Sequence, residues 1–194
     1  MLSVTDIIPK VLREIEAAKT PMPEADDEAV VALIQRIATN GYRPSEQIIS
    51  PLRAYSSGYA LLLSGDAGVG KTFLMRCLGV RLYVCDTIID YGIANLHKWY
   101  SWTDGNDLCI DDLGSERIVA EYGQKDDVLK AVISHRCDWQ GRKHGKTHVT
   151  TNLTAEQIAA RYGDRTLSRL LGMCKAFVLT GENRREAKPQ MEGG

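Results

Sequence analysis

The chain has no C-x-x-C pair, no long apolar run and almost no net charge, and each lack removes a class of protein. Its five cysteines, Cys77, Cys85, Cys109, Cys137 and Cys174, are scattered and odd in number. A disulfide framework or a zinc site is therefore not expected, and a reducing cytoplasm is. The histidines are spread out and show no metal spacing. No apolar stretch approaches the roughly 18 residues that a membrane span needs, and Asp6 precedes any apolar run, which is not a signal-peptide pattern. No membrane partner is expected. A formal net charge of −1 creates no field drawing the protein to nucleic acid, so any such contact requires a local basic patch. Internal repeats and low-complexity tracts are missing too. What remains is an ordinary globular composition, 44% hydrophobic and 25% charged over 194 residues, enough for one good-sized core.

Along the chain, Ile8, Val11, Leu12 and Ile15 recur at helical spacing behind a capping Asp6, with Pro9 tolerable in the first turn. Thr20-Pro21-Met22-Pro23 breaks that pattern. A second helix follows Asp26-Asp27-Glu28, with Val30, Leu33, Ile34 and Ile37 on one face and Gly41 as its stop. Residues 1–50 thus read as a helical N-terminal segment, 51–187 as the main domain and 188–194 as a loose tail. In the main domain, apolar runs at 59–63 and 107–110 read as strands buried on both faces, with 147–151, 176–179 and 81–85 as further strand candidates. Helical patterns lie between them at 71–78, 88–99, 126–139 and 154–162. The last opens with the capping box Thr154-x-x-Gln157 and stops at Gly163. Strands alternating with helices predict an α/β fold with a mainly parallel sheet between helical layers.

Gly65-Asp66-Ala67-Gly68-Val69-Gly70-Lys71-Thr72 matches G-x-x-x-x-G-K-[ST] in full, directly after an apolar strand and at the start of a helix. The chemistry asks for these types. Glycines let successive backbone N–H groups turn inward as an anion nest, and the helix that follows points its positive end at the same place. Lys71 is the point charge for β- and γ-phosphate oxygens, and the Thr72 hydroxyl is a hard oxygen ligand for Mg²⁺. ATP with Mg²⁺ is the expected ligand pair.

Asp111 and Asp112 end the apolar run Leu108-Cys109-Ile110. A carboxylate at the carboxyl end of a buried strand can reach a metal held by Thr72, so Asp111 is assigned to Mg²⁺. Asp112 then faces the γ-phosphate and polarises the attacking water. Glu116 is a weaker acidic candidate, expected at the surface or at a helix start. The strand at 147–151 ends in Thr150-Thr151-Asn152, and Asn152 can orient water without carrying charge. Beyond Gly163 the chain is rich in arginine. Arg165 and Arg169 stand four apart on one helical face, either able to stabilise charge on a transferring phosphoryl group from a neighbouring subunit.

With these residues in place the chain resembles the AAA+ ATPases of the DnaC-type helicase loaders and IstB-type transposition helpers, over about residues 58–185. The resemblance is carried by Asp111-Asp112-Leu113-Gly114, Thr150-Thr151-Asn152-Leu153, Arg161-Tyr162-Gly163-Asp164-Arg165 with Ser168-Arg169-Leu170, and Leu179-Thr180-Gly181-Glu182-Asn183-Arg184-Arg185. It implies a P-loop NTPase (AAA+) three-layer αβα domain. In that domain Walker A lies at residues 65–72, Walker B at Asp111 and Asp112, sensor 1 at Asn152, and an arginine finger at Arg169 or Arg165. It also implies ATP-dependent homo-oligomers, contact with single-stranded DNA, and a replicative helicase or a transposase as client. The interval from Lys71 to Asp111 is shorter than is usual in that family, and Asp112 stands where many AAA+ proteins have glutamate.

The basic stretch ending Arg142-Lys143-His144-Gly145-Lys146, with Trp139 ahead of it, offers phosphate contacts and a stacking surface, or else a solvated loop over an inward tryptophan. Trp99, Tyr100 and Trp102 read as helix-to-sheet packing. Four functions share the cradle: a helicase loader acting in DNA replication, a transposition helper, a small-molecule kinase, and a nucleotide-dependent interaction module without turnover. The carboxylate pair followed by Thr151-Asn152 favours the first two.

Overall fold

A computed structural model describes residues 27–103, 105–116, 124–139 and 145–184. The expected helix behind Asp6, the basic residues Arg142 and Lys143, and the tail all lie outside the described residues. In chain order the elements are α1 Asp27–Thr39, a 3-10 turn Glu46–Ile48, α2 Ile49–Ser56, β1 Ala60–Ser64, α3 Lys71–Cys77, β2 Arg81–Val84, α4 Cys85–Thr103, β3 Leu108–Leu113, α5 Gln124–Trp139, β4 Thr147–Thr151, α6 Ala155–Tyr162, α7 Asp164–Met173 and β5 Cys174–Val178.

The five strands form one parallel sheet in the order β2-β3-β4-β1-β5. Because successive side chains on a strand point to opposite faces, the run Leu61-Leu62-Leu63 serves two cores. Leu62, with Leu108, Ile110 and Val149, packs against Ile88, Ile89, Leu129, Val132, Ile133 and Leu170 of α4, α5 and α7. Leu61 and Leu63, with Cys109, pack against Val30, Ile37, Leu52, Leu74 and Met75 of α1, α2 and α3. The result is a three-layer α/β P-loop fold. Each fully buried leucine or isoleucine stabilises it by about 1.5–3 kcal/mol relative to exposure.

Local chemistry sets the element ends. The capping box of α6 forms as expected, the Gln157 N–H donating to Thr154 Oγ1 at 3.3 Å and the Thr154 N–H to Gln157 Oε1 at 2.8 Å. α4 is longer than its 88–99 pattern and kinks at Asn95, where φ is −145° and ψ 38°. α2 carries little apolar pattern of its own and includes Pro51. The proline sits in the first turn, where no intrahelical donor is needed.

The amino ends of β3 and β4 are held by one buried arginine. Arg136, 2% exposed, donates from Nε to Thr147 Oγ1 at 2.7 Å and from Nη1 to the Thr103 carbonyl at 2.7 Å. Its Nη2 donates to the carbonyls of Asn106 at 3.0 Å and Gly145 at 2.8 Å. The clamp lies at the end of the sheet opposite the phosphate loop.

Candidate functional site

In a parallel sheet all carboxyl ends lie on one side, and ligands bind there. The adjacent strands β3, β4 and β1 bring three loops to that side: residues 111–116, residues 152–154 and the glycine-rich loop 65–70. Two glycines in the last loop are obligatory. Gly70 caps α3 in the left-handed region at φ 103°. At Gly65 (φ 129°) a Cβ would fall 1.9 Å from the Leu179 carbonyl oxygen.

Lys71, the first residue of α3, is 6% exposed. Its ammonium donates to the carbonyls of Gly65 at 2.6 Å and Asp66 at 2.7 Å, and to Asn152 Oδ1 at 2.7 Å. Oxygen acceptors converging on a buried ammonium are what a phosphate oxygen also supplies, so the cradle fits a phosphorylated ligand. Next to it, Thr72 Oγ1 donates to Asp111 Oδ1 at 2.9 Å, and Thr150 Oγ1 donates to the same oxygen at 2.6 Å. A hydroxyl and a carboxylate this close are hard oxygen donors that fit Mg²⁺, a cation held by one or two protein oxygens together with substrate phosphates. Among the described residues no group of three or more His, Cys, Asp or Glu forms an all-protein metal site.

Asp112 has φ 62°, in the left-handed region that a non-glycine residue enters at a cost. The register explains why. Ile110 pairs with Val149 and Leu113 with Thr151, so β3 inserts one residue more than β4 across this interval. That bulge re-aims the two carboxylates. The Asp112 N–H donates to Thr150 Oγ1 at 2.9 Å, and its Oδ1 accepts from Asn152 Nδ2 at 3.2 Å. Asp111 is buried and Asp112 half-buried. The structure thus gathers Lys71, Thr72, Asp111, Asp112 and Asn152 into one site.

Glu116 is not the surface residue that its sequence context leads one to expect. It is 3% exposed and ion-paired with Arg161 at 2.7 Å. It also accepts hydrogen bonds from the Tyr162 hydroxyl and, at 3.0 Å, from the Gly114 N–H. A partner three or four residues away would show in helical spacing; Arg161 and Tyr162, 45 and 46 residues further on and on a different element, do not. Burial, followed by the charges of Glu116, Asp112 and Asp111, pushes the Cys85 thiol far up, so all three carboxylates share one neighbourhood.

The two candidate finger arginines are not part of this gathering. Both lie on α7, where Arg165 is exposed and Arg169 sits 3.8 Å from Asp138 of α5. On the other flank, the Arg184 N–H donates to the Gly68 carbonyl at 3.0 Å. Its guanidinium lies 4.8 Å from the centre of the Tyr42 ring, which in turn stacks on Phe73 at 5.9 Å. Nothing in the local pattern of Tyr42 or Arg184 marked them as neighbours of the loop.

Fold and site together define a P-loop phosphate cradle with an acidic strand end and a polar strand tip beside it. No protein-family model matches the sequence, and no curated protein does. Among solved structures, one titled DNA replication initiation factor is similar at 14% identity over 75% of this chain and 50% of that one, with a TM-score of 0.52. That likeness establishes a common fold, here spanning about half of the other protein. The DnaC helicase loader is similar at 20% identity, 81% of this chain, 92% of that one and TM-score 0.49. DnaI is similar at 21%, 89%, 93% and 0.48. Among the described residues no helix is long and apolar enough to cross a membrane.

Proposed function

We propose that the protein is an AAA+ ATPase that binds Mg·ATP at the loop 65–72 and hydrolyses it slowly, as a helicase loader acting in DNA replication. The observation that carries the reading is the meeting of Lys71 with Asn152 at 2.7 Å and of Thr72 with Asp111 at 2.9 Å. Those two contacts join cradle, acidic strand and polar strand in the arrangement that phosphoryl transfer requires. The client follows from the motif resemblance alone, with a transposase as the alternative to a replicative helicase. Five free thiols fit a reducing cytoplasm.

In this reading the backbone N–H groups of the loop and Lys71 bind the β- and γ-phosphates. Thr72 and Asp111 hold Mg²⁺, which when bound neutralises phosphate charge. Asn152 holds Asp112 and the attacking water in register. Asp112 accepts a proton from that water as the new oxygen–phosphorus bond forms and the bond to the β-phosphate oxygen breaks. Glu116 is a poor candidate for this base, because both its oxygens already accept hydrogen bonds in a buried place. Arg169, or Arg165 one helical turn before it, serves the cradle of a neighbouring subunit.

The deciding experiment is calorimetric titration with Mg·ATP, followed by phosphate release. The parent should bind, and Lys71→Ala should lose roughly 100-fold or more in affinity with the charge-assisted contacts to phosphate. Equal affinity in the two proteins would remove the phosphate cradle, and the ATPase with it. Affinity capture of the ATP-locked Asp112→Asn protein then separates a helicase client from a transposase.

A further inference from the structure

Glu116 takes no part in the chemistry above, yet it is as buried as Asp111, at 3% and 5% exposure. Its partners form a small ionic cluster between the acidic turn and the end of α6. Arg161 donates from Nη1 to the Gly114 carbonyl at 2.6 Å and from Nη2 to the Glu116 carbonyl at 3.0 Å. The same guanidinium pairs with the Glu116 carboxylate. A buried ion pair is seldom more stabilising than a well-packed apolar substitute, so stability by itself does not account for one here.

The geometry shows what the cluster holds. The turn at the end of β3 is closed on Asp112, whose carbonyl accepts the Ser115 N–H at 3.0 Å. The left-handed conformation of Asp112 therefore depends on where residues 113–116 sit. One side of that turn rests on the strand tip carrying Asn152: the Thr151 hydroxyl donates to the Leu113 carbonyl at 2.6 Å and accepts the Leu153 N–H at 3.0 Å. The other side is gripped by Arg161 and Tyr162. Tyr162 in turn ends α6 and hooks the start of α7, its carbonyl accepting from Thr166 Oγ1 at 3.0 Å. Only Gly163 separates it from the helix that carries Arg165 and Arg169.

We infer that Glu116, Arg161 and Tyr162 are positioning residues that couple the cradle's acidic turn to the arginine-bearing helix α7 of the same subunit. This rests on the ATP reading above. Occupation of the cradle moves or stiffens Asp112, the turn carries that change to Glu116, and the Tyr162 hydroxyl transmits it to the start of α7. The state of one subunit's nucleotide thereby sets the arginine offered to its neighbour.

The test is hydrogen exchange on the full chain with and without Mg·ATP, in the parent, Tyr162→Phe and Glu116→Gln, beside steady-state kinetics. In the parent, Mg·ATP should slow exchange both at 65–72 and at 164–173, the latter by about 5-fold or more, the lower end of ordinary coupling between sites. In Tyr162→Phe the slowing at 65–72 should remain with affinity unchanged, while the response at 164–173 disappears and kcat falls at constant KM. A purely structural role would weaken both segments alike and leave the ATP response of α7 in place. If Tyr162→Phe does not fold, Glu116→Gln, which keeps the shape and one acceptor, carries the same readout. An undiminished response of α7 in the variants overturns the coupling and leaves the ATPase reading standing. Failure of the parent to bind Mg·ATP overturns both.

Discussion

The Asn152 amide bridges Lys71 and Asp112: its oxygen accepts from the Lys71 ammonium at 2.7 Å and its nitrogen donates to the Asp112 carboxylate at 3.2 Å. One neutral side chain thus spaces the cation of the cradle from the candidate base. Asn152→Ala should bind ATP with nearly parental affinity and lose about 100-fold in turnover, the order seen on removing one preorganised donor. Asn152→Asp should instead lower ATP affinity, because a new carboxylate would pair with Lys71 and repel phosphate. Titration and phosphate release on both variants check the split, and equal affinity in the two would mean that Asn152 does not face the phosphates.

Asp112 combines a left-handed backbone with the side chain proposed as the general base. Asp112→Asn should retain ATP and lose about 10²–10⁴-fold in turnover, as expected on losing a general base. The backbone can be tested apart from the chemistry. With φ at 62°, Asp112→Gly should be more stable than Asp112→Ala by about 1 kcal/mol, the cost of a Cβ in the left-handed region. Urea unfolding of the two variants measures that difference.

Arg136 should matter for stability and not for ATP. Its buried guanidinium donates to the carbonyls of Thr103, Asn106 and Gly145, and Arg136→Ala removes all of those bonds at once. A loss of about 3 kcal/mol or more is expected, and Arg136→Lys should recover only part of it, since an ammonium cannot reproduce the fork. A variant melting within a degree of the parent would show that the clamp is dispensable.

His148 should make stability sensitive to mild acid. Its Nδ1 accepts the Leu61 N–H at 3.1 Å, its ring lies 5.6 Å from that of Tyr55, and among the described residues Nε2 has no partner. Burial pulls its pKa down to about 4, with Asp107 opposing the shift and Lys146 reinforcing it. A folded pKa below the unfolded one means that protonation favours unfolding. Stability is complete above about pH 6.5 and falls as the pH drops towards 4, by up to about 3 kcal/mol. His148→Asn, which keeps an acceptor near Nδ1, should flatten that slope in urea titrations between pH 7 and 5. An unchanged slope would place the acid sensitivity elsewhere.

Arg169 is held loosely, 3.8 Å from an Asp138 that is 62% exposed, and a pair of that kind contributes little to stability. Releasing it to serve a neighbour, as proposed, would therefore cost little. Arg169→Ala should bind ATP and turn it over at a small fraction of the parental rate. Lys71→Ala keeps the arginine but lacks the cradle. Mixing the two should restore part of the activity, and the parental specific activity should rise with protein concentration. Rescue with Arg165→Ala in place of Arg169→Ala would move the finger by one helical turn. A concentration-independent rate without rescue would show a self-sufficient monomer.

Sequence alone determined the elements whose signal is local. The phosphate loop is contiguous, so its glycines, Lys71 and Thr72 can be read directly. The strand at 59–63 announces itself by an apolar run, and the cap at Thr154 by a reciprocal pair three residues apart. Even the carboxylates and Asn152 could be placed near the loop, because parallel strands put their carboxyl ends on one side. Tertiary structure decided everything that depends on a partner distant in sequence. The bulge that turns Asp112 arises from a mismatch of register between β3 and β4, which neither strand encodes by itself. Glu116 reads as a surface acid until Arg161 and Tyr162 arrive from α6, and Arg136 reads as a basic helix end until two stretches of chain, 103–106 and 145–147, converge on its guanidinium. Periodicity reports which face of an element is apolar; it carries no information about which polar side chain from another element will meet a buried charge, and that meeting is what converts the acidic strand end into a positioned site.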